Sequence, residues 1–480
     1  MVKILLFALL LVPAKASAQC AFREKMALPG FSNASWGLSV RDVSTGKELV
    51  SCAGSANLVP ASSLKMFVTA AALDVLGPET RFKTRVYLDG SVSKGVLEGG
   101  VYIRGGGDPS FASQFINGAP SAEAEFARWA AALREAGVSS VKGSVTADDT
   151  LFEGQPLPGS WTWEDIGNYY AAQPSALVFN DNLYRLYFRP GKEEGVPAAV
   201  LRSEPEISGL VFENLMTTGP EGSGDNGYIF NFPGRYSAVV RGTVPRGAEE
   251  FAIKGAMPDP ALFAAQAFTD YLSAHGIKVE GKAARAAGPV DYGAARFLAE
   301  TEGAQVKDIV FATNKRSFNL YAEILLRHLA VAAGKAGSAS NGLAALRAYL
   351  ASRGMDVSEL RLADASGLSR LNMVQASQFS AFLAAVASRP FFGAYRASLV
   401  RPQDPDATGH VRRLGADTRL KGLLQLKSGS LSGVRSYAGY LTTDKGRLLS
   451  FASLLNNYSA PASGIDAMHE AILLELAEKY

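Results

Sequence analysis

With 480 residues the chain has room for two or three domains. Apolar residues at 48% and charged residues at 19% describe a globular protein with a sizeable core and exclude a disordered one. A formal net charge of +3 gives no reason to expect nucleic acid as a partner.

Met1-Val2-Lys3, the apolar run Ile4 to Val12 and Ala16-Ser17-Ala18 together read as a secretory signal, with cleavage near Ala18. The run is too short to span a bilayer, and no later stretch is long and apolar enough to do so. Cys20 raises the possibility of lipidation, but Gln19 stands where a small residue is needed. The mature protein is therefore expected to be exported or periplasmic, with no transmembrane segment. Losing Lys3 and Lys15 with the signal takes the formal charge from +3 to +1. Cys20 and Cys52 are the only cysteines, and in an exported chain they most simply form one disulfide; two buried thiols are the alternative.

Trp36 to Val43 alternates as a strand does, Ser44 to Lys47 reads as a turn, and Glu48 to Cys52 as the returning strand. Next comes Pro60-Ala-Ser-Ser-Leu-Lys-Met-Phe67, continued by a mostly apolar helical run to Leu73. If Ser62 opens that helix, Lys65 lies one turn later on the same side, where its amine can meet the hydroxyl. A serine hydroxyl is a poor nucleophile until a neighbour takes its proton, and a lysine whose pKa is lowered by burial can be that neighbour. An N-cap serine followed by a snorkelling lysine is the structural alternative.

From about Arg81 short alternating strands punctuated by glycines take over, ending in Gly105-Gly-Gly-Asp-Pro109. That cluster lacks the Lys-Ser/Thr ending of a phosphate loop and reads as a tight turn. A helix is expected over 122–136 and a strand over 141–147, followed by an aromatic cluster of Trp161, Trp163, Tyr169 and Tyr170. Those aromatics suit core packing better than a sugar platform. Glycine- and proline-rich strands continue from Ala176 to about Val244, and Pro258-Asp-Pro260 starts a helix running to about His275. Helical texture dominates from Val306 to Arg353 and from Val374 to Ala387. Strands are expected over 423–426, 434–442 and 447–455, before a last helix with Ile465, Met468, Ile472 and Leu476 on one face.

Two further short motifs stand in this second half. Ser317-Phe-Asn319 precedes the helical run Leu320 to Arg327, where it would serve as a cap, and Lys427-Ser-Gly-Ser430 ends a predicted strand, where it would serve as a turn. Each is weak alone. Ser-x-x-Lys, Ser-x-Asn and Lys-Ser/Thr-Gly in this order form the set found in penicillin-binding proteins and β-lactamases.

The resemblance covers nearly the whole mature chain. Leu58 to Lys65, Leu97 to Pro109, Asp364 to Arg370 and Lys427 to Gly433 are similar to class C low-molecular-mass penicillin-binding proteins. These are D-alanyl-D-alanine carboxypeptidases and endopeptidases with a large insertion between the first and second motifs, as between Lys65 and Ser317 here. The fold implied is an α/β transpeptidase-like domain, a mainly antiparallel sheet flanked by helices, with a strand-rich insertion forming two further domains. The division expected is 1–18 for the signal, 19–81 plus 289–480 for the catalytic domain, 82–160 plus 258–288 for the first inserted domain, and 161–257 for a domain nested in it.

The resemblance implies that Ser62 attacks the carbonyl of a D-Ala-D-Xaa bond and Lys65 accepts its proton. Ser317 and Asn319 would complete the relay to the leaving amine, and Lys427 would supply positive charge near the substrate carboxylate. Ser428 and Ser430 hydroxyls, flanking Gly429, would hold that carboxylate, and the N–H groups of Ser62 and Ser430 would form the oxyanion hole. Asp148 would bind the amino end of the diamino-acid side chain of the stem peptide; an exposed turn aspartate is the alternative. Phe318 stands where the family often has aspartate, and Ser428 where threonine is commoner. The four histidines, His275, His328, His410 and His469, have no triad setting, and their scatter argues against a metal site; no cofactor is expected.

The partners implied are peptidoglycan stem peptides, with β-lactams as covalent inhibitors. Cleavage of D-Ala-D-Ala ends and of D-Ala-meso-diaminopimelate cross-links is the expected chemistry. A β-lactamase would need an added deacylating base, which the sequence does not offer. A non-catalytic cell-wall-binding or penicillin-sensing protein would not need Ser62, Lys65, Asn319 and Lys427 intact.

Overall fold

The computed structural model describes residues 20–407 and 409–480, so the expected signal, 1–18, lies outside the described residues. Five strands form an antiparallel sheet in the order 48–52, 35–42, 448–456, 434–442 and 424–431. The alternation around Trp36 thus becomes the strand Ser35–Asp42, paired on one side with Glu48–Cys52 and on the other with Leu448–Asn456. The last helix, Ala462–Lys479, buries Ile465, Met468, Ile472 and Leu476 in a core shared with this sheet. A disulfide between Cys20 and Cys52 ties the start of the described chain to the edge strand. No described helix is long and apolar enough to cross a membrane.

The helix Lys65–Val75 buries every side chain from Lys65 to Leu73 and packs on the helices Val306–Arg316 and Asn319–Ala332. A central helix surrounded on nearly all sides needs no amphipathic stripe, which is why its sequence is apolar apart from Lys65, Thr69 and Asp74. The helical stretch from 306 to 353 is three helices, the third being Ala339–Ser352.

The intervening segment has cores of its own. Strands 284–285, 145–148, 100–104, 81–89 and 296–305 make a second five-stranded sheet, backed by the helices Ala122–Glu135 and Pro260–Ala274. Strands between Leu183 and Ala256 make two three-stranded sheets around Tyr184, Leu186, Phe188, Ile229 and Val240. The strand Arg296–Gln305 lies past the return point expected at 288, yet it pairs antiparallel with Arg81–Asp89. The sheet of the insertion therefore reaches to 305, because this one strand both closes that sheet and leads into the helix Val306–Arg316.

One local expectation is corrected. Lys427 to Ser430 does not form a turn after a strand ending at 426; the strand Leu424–Leu431 runs through it, paired with Val434–Thr442. A side chain at Gly429 would place its Cβ 2.5 Å from the carbonyl oxygen of Pro60 and 2.7 Å from the amide nitrogen of Ser62. Only glycine lets the strand approach so closely.

Candidate active site

Three distant stretches of chain converge. Ser62 sits in the 3-10 turn Ala61–Leu64, half buried, and the α-helix proper begins at Lys65. Lys65 Nζ donates to Ser62 Oγ at 2.9 Å, to Asn319 Oδ1 at 2.6 Å and to the Ser366 carbonyl at 2.5 Å. Three acceptors use all three hydrogens of an ammonium. Lys65 is fully buried. That burial pulls its pKa down to about 7, against the opposing pull of the Asp364 and Glu323 carboxylates. A free amine beside a serine hydroxyl is thus accessible near neutral pH.

Asn319 begins the helix Asn319–Ala332, and Ser317 ends the preceding helix in the left-handed conformation at φ 60°. Neither side chain caps a helix end. Instead Asn319 Nδ2 donates to the Tyr170 carbonyl at 2.7 Å, and Ser317 Oγ accepts from Lys427 Nζ at 2.9 Å. Lys427 also donates to the Ser428 carbonyl at 2.8 Å. It is buried, and both burial and the nearby Lys65 charge push its pKa well down. If Lys65 is the free amine, that repulsion vanishes and only the larger effect, burial, still pushes the Lys427 pKa down. Ser428 is half buried and Ser430 exposed, on the strand that Gly429 brings against Ser62. Phe318, between the two residues of the second motif, stacks on Tyr321 and leans on Phe115.

Asp148 is not brought to this group. It is buried at the end of the strand Val145–Asp148; one carboxylate oxygen accepts from Thr150 and the other from the Tyr292 hydroxyl at 2.6 Å. Nor is it an exposed turn residue.

Sequence reasoning missed the support beneath Lys65. Glu323, fully buried, lies one turn along from Asn319, and its Oε1 accepts from the amides of Ala365 and Ser366, each at 2.9 Å. The carbonyl of Ser366 is thereby aimed at Lys65. Burial, then the Asp364 charge, raise the Glu323 pKa to about 7. Asp364 holds the same loop through the amides of Gly367 and Ser369 and takes a 2.8 Å hydrogen bond from Trp161 Nε1. Asp364 to Arg370 was visible as a motif, and Glu323 as a lone acid in an apolar helix; neither pattern says what the side chain faces. Ser436 is a further member, its Oγ donating to the Pro60 carbonyl at 2.5 Å and lying 3.0 Å from Ser63 Oγ.

Histidine supplies no alternative base. His469 Nε2 lies 2.9 Å from Ser453 Oγ, but both are buried and the other ring nitrogen faces the Ile465 carbonyl, not a carboxylate. Burial holds His328, His410 and His469 near pKa 4. No cluster suited to a metal ion occurs among the described residues.

Residues 19–475 match the D-Ala-D-Ala carboxypeptidase 3 (S13) family. The chain is 31% identical to a D-alanyl-D-alanine carboxypeptidase of Actinomadura sp., over 94% of this chain and 82% of that one. The crystal structure of penicillin binding protein 4 (dacB) from Haemophilus influenzae superposes with a TM-score of 0.81 at 21% identity, covering 96% of this chain and all of that one. The same protein complexed with a β-lactam gives a TM-score of 0.75 at 20% identity, covering 95% and 98% of the two chains.

Proposed function

The chain belongs to the D-Ala-D-Ala carboxypeptidase 3 (S13) family of serine hydrolases, and we propose that it trims peptidoglycan stem peptides and also opens D-Ala-meso-diaminopimelate cross-links, through an acyl-enzyme on Ser62. The observation that carries this reading is the 2.9 Å contact between Lys65 Nζ and Ser62 Oγ, with the amine buried. In the proposed reaction Ser62 Oγ attacks the penultimate D-alanine carbonyl and its proton passes to Lys65. The carbonyl oxygen, now negative, is held by the N–H groups of Ser62 and Ser430; one such donor is worth roughly a hundredfold or more in rate. The leaving amine takes a proton through Ser317, which Lys427 polarises. Asn319 fixes Lys65 and meets the substrate amide. The terminal carboxylate lies against Lys427 and the hydroxyls of Ser428 and Ser430. Water then cleaves the Ser62 ester, with Lys65 again taking a proton.

A β-lactam presents a carbonyl and a carboxylate in the same places, so the same serine is expected to be acylated by it. Export to the periplasm follows from the reading of residues 1–18 and suits a disulfide between Cys20 and Cys52. The three-domain division expected above is kept, with the first inserted domain extended to 305. Separate apolar cores around Trp129 and around Tyr184 support it.

The deciding experiment is mass analysis of purified muropeptides after incubation with the enzyme. Loss of one D-alanine from monomeric pentapeptides is the carboxypeptidase reaction, and conversion of dimers to monomers is the endopeptidase reaction. Unchanged pentapeptides would refute the assignment, and unchanged dimers its second half.

A further inference from the structure

The aromatic cluster expected to be core is divided by the structure. Trp161 is buried, 5% exposed, and packs with Leu368, whereas Trp163 and Phe232 are each 66% exposed, Tyr228 46% and Tyr169 38%. Trp163 stacks on Phe230 with ring centroids 4.8 Å apart and planes 29° from parallel. Tyr228 continues the row, 6.4 Å from Phe230 and again 29° from parallel. The faces of Trp163 and Tyr228, left in water on either side of Phe230, mark this row as a binding surface.

We propose that Trp163, Phe230 and Tyr228, with Tyr169 on the adjoining loop, form a platform for the glycan strand that carries the stem peptide. The inference rests on the peptidoglycan reading above and extends it to the sugar part of the substrate. A pyranose ring has an apolar C–H face and a rim of hydroxyls, and it needs flat apolar surface bordered by hydrogen-bonding groups. The row supplies the surface. Glu164, Asp165 and Asp225 lie beside it in sequence, and Lys254 Nζ sits 5.2 Å from the centre of the Tyr169 ring. Bordering charges of this kind suit a polyhydroxylated chain better than an apolar protein surface, whose interface core would be depleted of them.

Continuity with the catalytic cleft argues for this occupant. One loop carries both sites: Trp161 is tied to Asp364, Tyr170 receives the hydrogen bond from Asn319, and Tyr169 and Tyr170 meet edge to face at 5.5 Å. At its other end Asn168 Oδ1 accepts from the Ile229 amide, which fixes the loop to the strand bearing Tyr228 and Phe230. A peptide held at Ser62 and its glycan on this row would therefore be bound by one rigid loop.

The test uses full-length protein acylated with penicillin, which blocks the cleft. Binding of fluorescently labelled, peptide-free glycan oligosaccharides of alternating N-acetylglucosamine and N-acetylmuramic acid is followed by anisotropy. Saturable binding is expected, weakened about tenfold by Trp163→Ala or Tyr228→Ala and more by both. Both positions are exposed, so the variants should fold and release D-alanine from a soluble pentapeptide at the wild-type rate. Absence of saturable binding by the wild type, or equal binding by the variants, would overturn the platform. Pentapeptide turnover without glycan binding refutes the platform alone; glycan binding without turnover refutes the enzymatic reading alone.

Discussion

Replacing Lys65 with methionine separates the catalytic from the structural consequences of burying an amine. Its pKa of about 7, against an ordinary 10.5, corresponds to about 5 kcal/mol of folding free energy at 1.36 kcal/mol per unit. The sign follows from linkage: the folded-state pKa is depressed, so the unfolded chain binds the proton more tightly. The cost is complete below pH 7, shrinks as pH rises, and vanishes above about 10.5. Lys65→Met removes that cost but strands the Asn319 Oδ1 and Ser366 carbonyl acceptors, which loses about 1–3 kcal/mol apiece. These contributions nearly cancel, so the unfolding midpoint at pH 6 should move by only a few degrees. Acylation should fall about a hundred- to ten-thousandfold, the range of a lost general base. Labelling with a fluorescent penicillin gives the rate, and a thermal melt gives the stability. A variant acylated within about tenfold of wild type, or one whose midpoint collapses while its far-ultraviolet spectrum is native, would refute the reasoning.

Other outcomes are equally concrete. Acylation of the wild type should drop tenfold per pH unit below about 7, where Lys65 is protonated, and level off above it; a flat profile from pH 5 to 8 would exclude Lys65 as the base. In Glu323→Gln a carboxylate that raises the Lys65 pKa is gone, so this acid limb should move to lower pH; a limb that stays put or moves up would remove Glu323 from the argument. Ser62→Ala should remain folded and take no penicillin label, and any covalent label on it would place the nucleophile elsewhere. Opening the Cys20–Cys52 bridge by Cys52→Ser should cost about 3–4 kcal/mol from the loop of 32 residues it closes, read as a lower denaturation midpoint under oxidising conditions.

What the sequence revealed was whatever depends on local spacing. Ser62 and Lys65 are three apart on one helical turn, so their meeting needs no tertiary information. The apolar face of the last helix is legible for the same reason. The strand through Lys427 to Ser430 was not, because serine and glycine are poor strand formers and only pairing with Val434–Thr442 makes that stretch extended. The second carboxylate oxygen of Asp148 is taken by Tyr292, 144 residues away, a partner that no local pattern announces. Trp161 and Trp163 show the limit most directly: two residues apart and chemically identical, one is buried on Asp364 and the other faces solvent.

The three sequence motifs proposed to be catalytic do not by themselves complete the cleft. Asn319 is held through its Nδ2 by the Tyr170 carbonyl, and Asp364 through its Oδ2 by Trp161, both donated by the insertion. Asn319 Oδ1 and the Ser366 carbonyl are two of the three acceptors that face Lys65, so the loop 161–171 acts on Lys65 through groups that touch it. Each contact is a single hydrogen bond, worth about 0.5–1.5 kcal/mol net for Asn319 and about 1.5–3 kcal/mol for the Asp364 carboxylate, which is enough to favour one arrangement without freezing it. In the mechanism proposed above, the segment between the first and second motifs is therefore part of how Ser62 is prepared. Removing it should loosen Lys65 and leave a serine with the right neighbours in sequence but a base no longer aimed at its proton.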